Sequence, residues 1–255
     1  MSMNVYTMCF SPTGGTRKVL NILANELGTF QEIDFSLPRK NYGMYRFERG
    51  DVCLVGVPSF GGRVPERALK NLTRVKADHG AAILVVTYGN RAYDDTLLEL
   101  RKAMEGCGFR VVAVIAAATE HSIMHRYGTG RPDARDKKEL KAMIEPIQKK
   151  LLKPEQWKDF FVPGKYPYRE YSGVPLKPKA NKKCRNCGIC AEKCPARAIP
   201  RKHPNKTNKN RCISCMRCIH ICPERARQLD WKMSLLASIM LRKACSGRKP
   251  NQLFL

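Results

Sequence analysis

The sequence predicts an α/β protein: a doubly wound sheet of five parallel strands, followed by a second, small α+β domain. Two observations carry this prediction. Short apolar runs alternate with segments of helical periodicity through the first 152 residues, which is the pattern of a parallel sheet covered by helices on both faces. Eight of the twelve cysteines then crowd into residues 184–222, within a separate and strongly basic region.

The predicted elements follow one another along the first domain. Buried strands are expected at 5–10, 30–35, 52–57, 81–87 and 111–117, where the residues are apolar and prone to β structure. Apolar residues at helical spacing predict helices at 19–27, 68–72, 94–106 and 135–152. The alternation of strand and helix indicates parallel strands joined by crossover helices.

Loops rich in glycine follow three of these strands. The first, residues 11–16, reads Ser-Pro-Thr-Gly-Gly-Thr and joins a strand to a helix, a position at which backbone N–H groups can bind a phosphate. It matches neither a Walker A loop nor a Gly-x-Gly-x-x-Gly loop, and an ordinary turn with a threonine cap would also explain it. Loops with glycine and aromatic residues, at 58–65 and 88–95, end the third and fourth strands.

With this order of strands and loops, residues 1–152 resemble a flavodoxin. The resemblance implies a flavodoxin-like strand order of 2-1-3-4-5, with FMN at the carboxyl ends of the strands. The phosphate would be held by Ser11, Thr13, Gly14, Gly15 and Thr16. The isoalloxazine ring would lie between one loop with Pro58, Ser59, Phe60, Gly61 and Gly62 and another with Tyr88, Gly89, Asn90 and Tyr93. Alternatively, Phe60 and Tyr88 are loop aromatics that pack on the sheet.

Two arginines in these loops depart from the flavodoxin pattern. Familiar flavodoxins are acidic around the flavin, whereas this chain has Arg63 and Arg91 in the two loops expected to face the ring. A nearby cation stabilises a negative charge, so we expect these arginines to favour the reduced, anionic flavin and to raise its reduction potential.

A cysteine motif occurs twice in the second half of the chain. Cys184-x-x-Cys187-x-x-Cys190-x-x-x-Cys194-Pro is repeated 28 residues later as Cys212-x-x-Cys215-x-x-Cys218-x-x-x-Cys222-Pro. Three cysteines at this spacing can bind three irons of one iron–sulfur cube, while the fourth reaches the other cube. Zinc is the alternative metal for these cysteines, although zinc modules use two Cys-x-x-Cys pairs for each ion.

On this motif, residues 181–230 resemble a bacterial-type two-cluster ferredoxin. By the crossed rule, one [4Fe-4S] cluster would take Cys184, Cys187, Cys190 and Cys222, and the second would take Cys212, Cys215, Cys218 and Cys194. The repeat predicts two halves related by a pseudo-twofold axis. Taken whole, the chain resembles the ferredoxin-fused flavodoxins.

Two further segments complete the predicted domain organisation. Residues 153–180 contain five prolines interleaved with aromatic residues, which excludes a regular helix and predicts an ordered strap on the first domain. Residues 231–255 begin with apolar residues at helical spacing. We expect this amphipathic helix to pack on the protein, with contact to an anionic membrane surface as the alternative.

The formal net charge of +25 indicates anionic partners. Residues 181–255 carry 18 Lys and Arg against three acidic residues. An acidic redox protein is the favoured partner, and nucleic acid is the less favoured one. A cytoplasmic protein is expected, because residues 1–4 show no leader pattern, no apolar run is long enough to span a membrane, and Cys9, Cys53, Cys107 and Cys245 are scattered singly.

The resemblance implies electron transfer between FMN and two clusters, to or from an external partner, with no catalytic acid or base. The alternative is a flavin-dependent reductase of a quinone, a nitro compound or another flavin, although the sequence has no second nucleotide-binding unit for NAD(P)H. A cluster-containing regulator that binds nucleic acid is the least favoured function. No Ser/His/Asp or paired-carboxylate arrangement indicates hydrolysis.

Overall fold

The computed structural model describes residues 3–38 and 40–255; Met1, Ser2 and Arg39, which fall within the predicted first domain, lie outside the described residues. The strands are β1 (Asn4–Cys9), β2 (Phe30–Asp34), β3 (Arg46–Phe47), β4 (Asp51–Pro58), β5 (Lys76–Ala77), β6 (Ala81–Tyr88), β7 (Arg110–Ala118), β8 (Lys179–Ala180), β9 (Arg227–Gln228) and β10 (Gln252–Phe254). The helices are α1 (Gly15–Asn25), α2 (Glu66–Leu72), α3 (Thr96–Glu105), α4 (Ala134–Ala142), α5 (Ile144–Leu151), α6 (Ile189–Glu192), α7 (Arg217–His220) and α8 (Trp231–Cys245).

The main sheet contains five parallel strands in the order β2-β1-β4-β6-β7. Numbered among themselves, these strands have the predicted order 2-1-3-4-5, and the predicted fold class is confirmed. Every residue of β6 is buried, and β4 is buried as far as Val57, because helices cover both faces of the sheet. The strand order reverses between β1 and β4, so the loops after these two strands diverge and leave a crevice.

Each face of the sheet carries its own apolar core. On one face Leu20 and Leu23 of α1 pack with Ile144 and Ile147 of α5, and on the other α2 and α3 supply the apolar side chains. Burial of each such leucine or isoleucine stabilises the fold by about 1.5–3 kcal/mol. Gly56 in β4 permits the close approach of α1, since a Cβ there would lie 2.5 Å from Leu20 Cδ1.

The predicted helix at 135–152 is two helices, α4 and α5, which meet at Met143. Pro146 is the third residue of α5, and it has no N–H to donate to the carbonyl of Ala142. Proline is tolerated in the first turn of a new helix but not in the middle of a continuous one. The break therefore falls just before this proline.

A sixth strand, which the sequence analysis did not predict, completes the sheet. β10 pairs antiparallel with β7 and sets Leu253 opposite Ile115. The prediction of five strands was therefore short by one. A three-residue segment that pairs with a strand far away in the chain leaves no periodic pattern for sequence analysis to detect.

Residues 153–180 lie along the first domain as a strap. The Asp95 carboxylate accepts hydrogen bonds from the backbone N–H of Lys165 at 2.8 Å and of Arg169 at 2.7 Å. Val162 is buried against the core that contains α3. The strap then enters the cysteine-rich region as β8, which pairs antiparallel with β9.

The two cysteine motifs have the same backbone path. Left-handed backbone occurs at three matched pairs of positions, Asn186 and Ser214, Gly188 and Met216, and Arg197 and Arg225. The fourth cysteine of each motif also accepts the same hydrogen bond, with 3.3 Å from Ala198 N to Cys194 Sγ and 3.3 Å from Ala226 N to Cys222 Sγ. The sequence repeat is therefore a repeat of structure.

None of the helices within the described residues has the length and apolar character that a membrane span requires.

Candidate functional site

A cavity of about 430 Å³ lies at the carboxyl ends of β1, β4, β6 and β7. Its floor consists of the loops that follow these strands, including nine residues that the sequence analysis assigned to a flavin site. These are Ser11, Thr13, Gly15, Thr16, Pro58, Ser59, Phe60, Gly61 and Gly89. The position is the crevice where doubly wound sheets bind their ligands, and the volume suits a ligand of mononucleotide size.

The loop at 11–16 presents backbone donors to this cavity. Gly14 precedes α1 with a positive φ of 88°, a conformation that glycine adopts without strain. Among the described residues, the backbone N–H groups from Thr13 to Thr16 donate to no protein acceptor. Ser11 Oγ accepts from the N–H of Arg17 at 3.1 Å, which holds the loop against the helix. Free N–H groups at the positive end of a helix fit a phosphate.

The loop after β4 forms a tight turn beside the cavity. Phe60 and Arg63 exchange backbone hydrogen bonds of 3.0 and 3.2 Å, and Gly61 and Gly62 between them have positive φ angles. The strap packs closely on this turn, since a Cβ on Gly61 would lie 2.3 Å from the ring of Tyr171. Gly61 therefore serves both the turn and the contact with the strap.

Five of the fourteen residues predicted for the flavin site do not line the cavity, namely Gly14, Gly62, Tyr88, Asn90 and Tyr93. Tyr88 donates its hydroxyl to Pro250 O at 2.6 Å, Tyr93 donates to Gln252 Oε1 at 2.8 Å, and Asn90 Nδ2 donates to the carbonyls of Cys245 and Gly247 at 2.7 Å each. Gly62 packs against Asp94 and Arg169 instead. The three side chains hold the C-terminal segment to the sheet. Only a long-range contact decides this, so the loop sequence did not reveal it.

One of the two loop arginines also departs from its predicted position. Arg63 does not line the cavity and forms a bidentate pair with Glu99, with Nη2–Oε1 at 2.7 Å and Nε–Oε2 at 2.9 Å. The prediction that Arg63 faces the ring was wrong. Its half-buried guanidinium is stabilised instead by charge-assisted hydrogen bonds to this buried carboxylate. Arg91 does line the cavity, and it is paired with Asp94.

Three walls of the cavity come from segments that the sequence analysis left outside the site. The strap contributes Tyr171 and residues 174–176, the second cysteine motif contributes Ile213, Ser214 and Cys215, and α8 contributes Met233, Leu236, Ala237, Met240 and Leu241. Most of these side chains are apolar, as the face of a flavin ring requires. Leu236 and Met240 are exposed and form the rim of the opening. The helical spacing of the α8 residues was visible in the sequence, but their position over the cavity was not.

His121, in the loop after β7, supports the wall of the cavity. Its Nδ1 accepts hydrogen bonds from the backbone N–H groups of Ile123 and Met124, both at 3.1 Å, and its ring packs on Gly89. Burial, with a smaller contribution from His125, lowers the pKa of His121 to about 4. The folded protein therefore holds this imidazole neutral at physiological pH.

The neutral His121 should make the fold sensitive to mild acid. Its folded pKa lies below the unfolded value, so the unfolded chain binds the extra proton, and stability present at neutral pH is lost as the pH falls from about 6.5 toward 4. We expect the free energy of unfolding to fall by about 1.4 kcal/mol more between pH 7.5 and 5.5 than in His121→Asn, whose amide oxygen can accept the same N–H groups. Urea denaturation of the full chain at both pH values measures this difference. His79→Asn, at an exposed position, is the control, and an equal acid response in His121→Asn and in the unmodified chain would contradict the assignment.

The eight motif cysteines surround two small cavities. One is lined by Cys184, Cys187, Cys190 and Cys222, and the other by Cys194, Cys212, Cys215 and Cys218. This grouping is the crossed one expected for two clusters. Within residues 3–38 and 40–255, no three His, Cys, Asp or Glu side chains come together closely enough to hold a single metal ion. Four thiols placed around a shared space fit a polynuclear cluster.

Burial disfavours ionisation of the thiols around the second cavity. It raises the pKa of Cys218 to about 12 and raises that of Cys215 further. Ligation requires the thiolates, so binding of iron has to supply the positive charge that makes them stable. Cys215 also lines the large cavity, so the two candidate sites share a wall.

Comparison with known proteins gave one family match and several similar solved structures. A family model described as a 4Fe-4S dicluster domain matches residues 183–227. A search of curated proteins gave no match. Among solved structures, the rubredoxin oxygen:oxidoreductase from the anaerobe Desulfovibrio gigas is similar at a TM-score of 0.43 and 15% identity, over 60% of this chain and 37% of that one.

Two flavodoxins are also similar. The two-electron reduced flavodoxin of Megasphaera elsdenii matches at a TM-score of 0.36 and 18% identity, over 54% of this chain and 98% of its own. A short-chain flavodoxin associated with a non-canonical PDU bacterial microcompartment matches at 0.40 and 16%, over 58% and 97%. The strand order and the family match together show that the chain joins an α/β domain of flavodoxin-like topology to a 4Fe-4S ferredoxin-type domain.

Proposed function

We propose that the chain is an electron-transfer protein that binds FMN in the large cavity and one [4Fe-4S] cluster in each cysteine cavity, and that it exchanges electrons with an external redox partner. The observation that carries this proposal is the shared wall. Ile213 and Cys215 line both the large cavity and the cavity of the Cys212 set. Fusion in one chain thus sets a flavin-type cavity directly against a cluster-type cavity.

The residues of the large cavity fit the parts of FMN. The free N–H groups from Thr13 to Thr16 would hold the phosphate, and the apolar side chains from the strap and α8 would exclude water from the ring. FMN, when bound, supplies one- and two-electron redox chemistry, and each cluster supplies one-electron chemistry. The protein contributes orientation, exclusion of water and local charge.

The two cysteine cavities differ in their distance from the flavin cavity. The Cys212 set shares a wall with it, whereas none of the cysteines of the Cys184 set lines it. Cys187 of the Cys184 set is exposed to solvent. We infer that the cluster held by the Cys212 set faces the flavin, and that the cluster held by the Cys184 set faces the external partner.

The surface next to the outer cluster cavity is basic. Pro204 lines that cavity, and it belongs to the segment 201–211, in which all five Lys and Arg residues are exposed. Like the strongly positive net charge, this favours an acidic protein as the partner, since opposite charge speeds encounter and selects orientation.

Reduction of a small apolar molecule is the second candidate function. It is favoured by the exposed apolar rim of the cavity, where Leu236 and Met240 leave the opening accessible. A quinone, nitro compound or flavin could reach the ring there. Steady-state oxidation of NAD(P)H with such acceptors would support this function. A chain that is inactive with all of them would exclude the reductase function and leave electron transfer between proteins as the function.

A cofactor inventory on protein purified without oxygen tests the proposal. We expect one FMN and about eight iron and eight sulfide atoms per chain, since each cluster of four irons and four sulfides uses four cysteines. The measurements are the visible spectrum, the flavin released on denaturation, and iron and acid-labile sulfide. Full iron with no flavin, even after addition of FMN, would show that the large cavity holds a different ligand.

A further inference from the structure

Arg227 is a buried cation beside the cysteine cavities. It is the first residue of β9 and is 3% exposed. Its Nη1 donates to Thr207 Oγ1 at 2.6 Å, and its Nη2 donates to the carbonyls of Pro204 and Lys206. Its Nε is buried and has no acceptor in the part of the chain that the structure describes. All its oxygen acceptors are therefore neutral.

A guanidinium in this position needs an anion that the described side chains do not provide. Arginine keeps its proton under all ordinary conditions, and burial of an unpaired charge is strongly unfavourable. Arg131, a buried arginine of the first domain, does have an anionic partner: its Nη2 lies 2.6 Å from Asp136 Oδ1. For Arg227, no carboxylate of the described residues lies within ion-pair distance.

The surroundings of Arg227 show where the anion belongs. Arg227 lines the cavity of the Cys184 set, and the carbonyl of Pro204 accepts hydrogen bonds from both its guanidinium and the Cys190 thiol. Its Nη1 contacts Thr207 Oγ1, and Thr207 lines the cavity of the other set. Arg227 thus lies within electrostatic reach of both sets of ligands.

The internal repeat shows that the fold does not itself require an arginine here. The position 28 residues earlier is Ile199, which is buried and packs with Cys190 and Ala191. The sequences that lead to the two positions otherwise correspond, from Cys194-Pro to Ala198 and from Cys222-Pro to Ala226. An apolar side chain therefore fits the equivalent site, and the positive charge in the second copy calls for a separate explanation.

We propose that Arg227 is the shared counter-charge of the two clusters: as a buried cation that lines one cysteine cavity and contacts the lining of the other, it raises both reduction potentials. This deepens the proposed function and rests on it for the presence of the clusters. An oxidised four-cysteine cluster carries a net negative charge, and reduction by one electron adds one further unit of negative charge. A fixed cation that stabilises the reduced state makes reduction easier, and a cation near both clusters also weakens their mutual repulsion.

The test is a redox titration of anaerobically purified full-length chain, followed by the electron paramagnetic resonance of the reduced clusters. We expect Arg227→Gln to keep its iron and to shift both midpoint potentials downward. Arg227→Lys, which keeps the charge, should stay closer to the unmodified chain. Arg225→Gln is the matched control, because it removes an equal charge two residues away from an exposed position.

Two results would overturn the proposal. One is Arg227→Gln with full clusters and potentials that move no more than those of Arg225→Gln. The other is loss of iron in Arg227→Lys as well as in Arg227→Gln, which would make Arg227 a purely structural residue. Failure of the proposed function is a separate result: a chain with about eight irons and no flavin would remove the FMN proposal, yet the effect of Arg227 could still be measured.

Discussion

Replacement of Gly15 by aspartate is expected to abolish FMN binding and leave the fold intact. Gly15 begins α1 in the middle of the proposed phosphate loop, and a Cβ added there meets nothing closer than Thr119 Oγ1 at 3.9 Å. A carboxylate would occupy the place of the phosphate and repel it. We expect at least about a hundredfold loss of affinity, since two like unit charges about 4 Å apart repel by about 4 kcal/mol at an effective dielectric constant near 20.

The matched control is Gly15→Ala, which adds the same Cβ without the charge. We expect it to bind FMN nearly as well as the unmodified chain, because there is room for the methyl group. The measurement is fluorescence titration of FMN with flavin-free protein, together with circular dichroism to confirm the fold. Equal affinities for Gly15→Asp and Gly15→Ala would show that the phosphate lies elsewhere.

Removal of a single cysteine is expected to eliminate one cluster. The crossed grouping predicts which of the two clusters each substitution removes. Cys215→Ala and Cys194→Ala should each reduce the iron content from about eight atoms to about four, since both belong to one four-cysteine set. Cys187→Ala and Cys222→Ala should give the same count through loss of the other cluster. The grouping crosses the sequence motifs because the fourth thiol of each motif faces the other cavity.

The two pairs of variants should differ in their electron-transfer kinetics. After photoreduction of the flavin, the remaining cluster should bleach more slowly in Cys215→Ala and Cys194→Ala than in Cys187→Ala and Cys222→Ala. The reason is that the first two variants lose the cluster whose ligand set shares a wall with the large cavity. Stopped-flow or flash absorbance measures these rates. A Cys194→Ala variant that behaves like Cys187→Ala would contradict the crossed grouping.

Features encoded in short stretches of sequence were predicted well. The five buried strands, the loop at 11–16 and the cysteine repeat all depend on local patterns, such as apolar runs, glycine at a turn or thiols at fixed spacing, whereas the strand order was implied by the flavodoxin resemblance. The structure brings Ser11, Thr13, Gly15 and Thr16 to one cavity. Their role toward a phosphate stays a prediction until FMN binding is measured.

Features that depend on distant contacts were missed. Tyr88, Asn90 and Tyr93 have the composition of a flavin loop, yet their side chains bind the C-terminal segment. Arg63 was expected at the ring and pairs instead with Glu99, a residue of α3. In each case a hydrogen-bonding group found a partner that is far away in sequence, and such a partner leaves no local pattern.

The sequence by itself determined the class of fold and the presence of a ferredoxin-type domain, because these follow from periodicity and from the spacing of the cysteines. Only the tertiary structure decided which cavity each residue enters and what closes it. The strap, the loop around Cys215 and α8 meet above the sheet to form one cavity, and β10 completes the sheet from the far end of the chain. The physical reason is that burial and hydrogen bonding act through space, whereas sequence patterns record only neighbours along the chain.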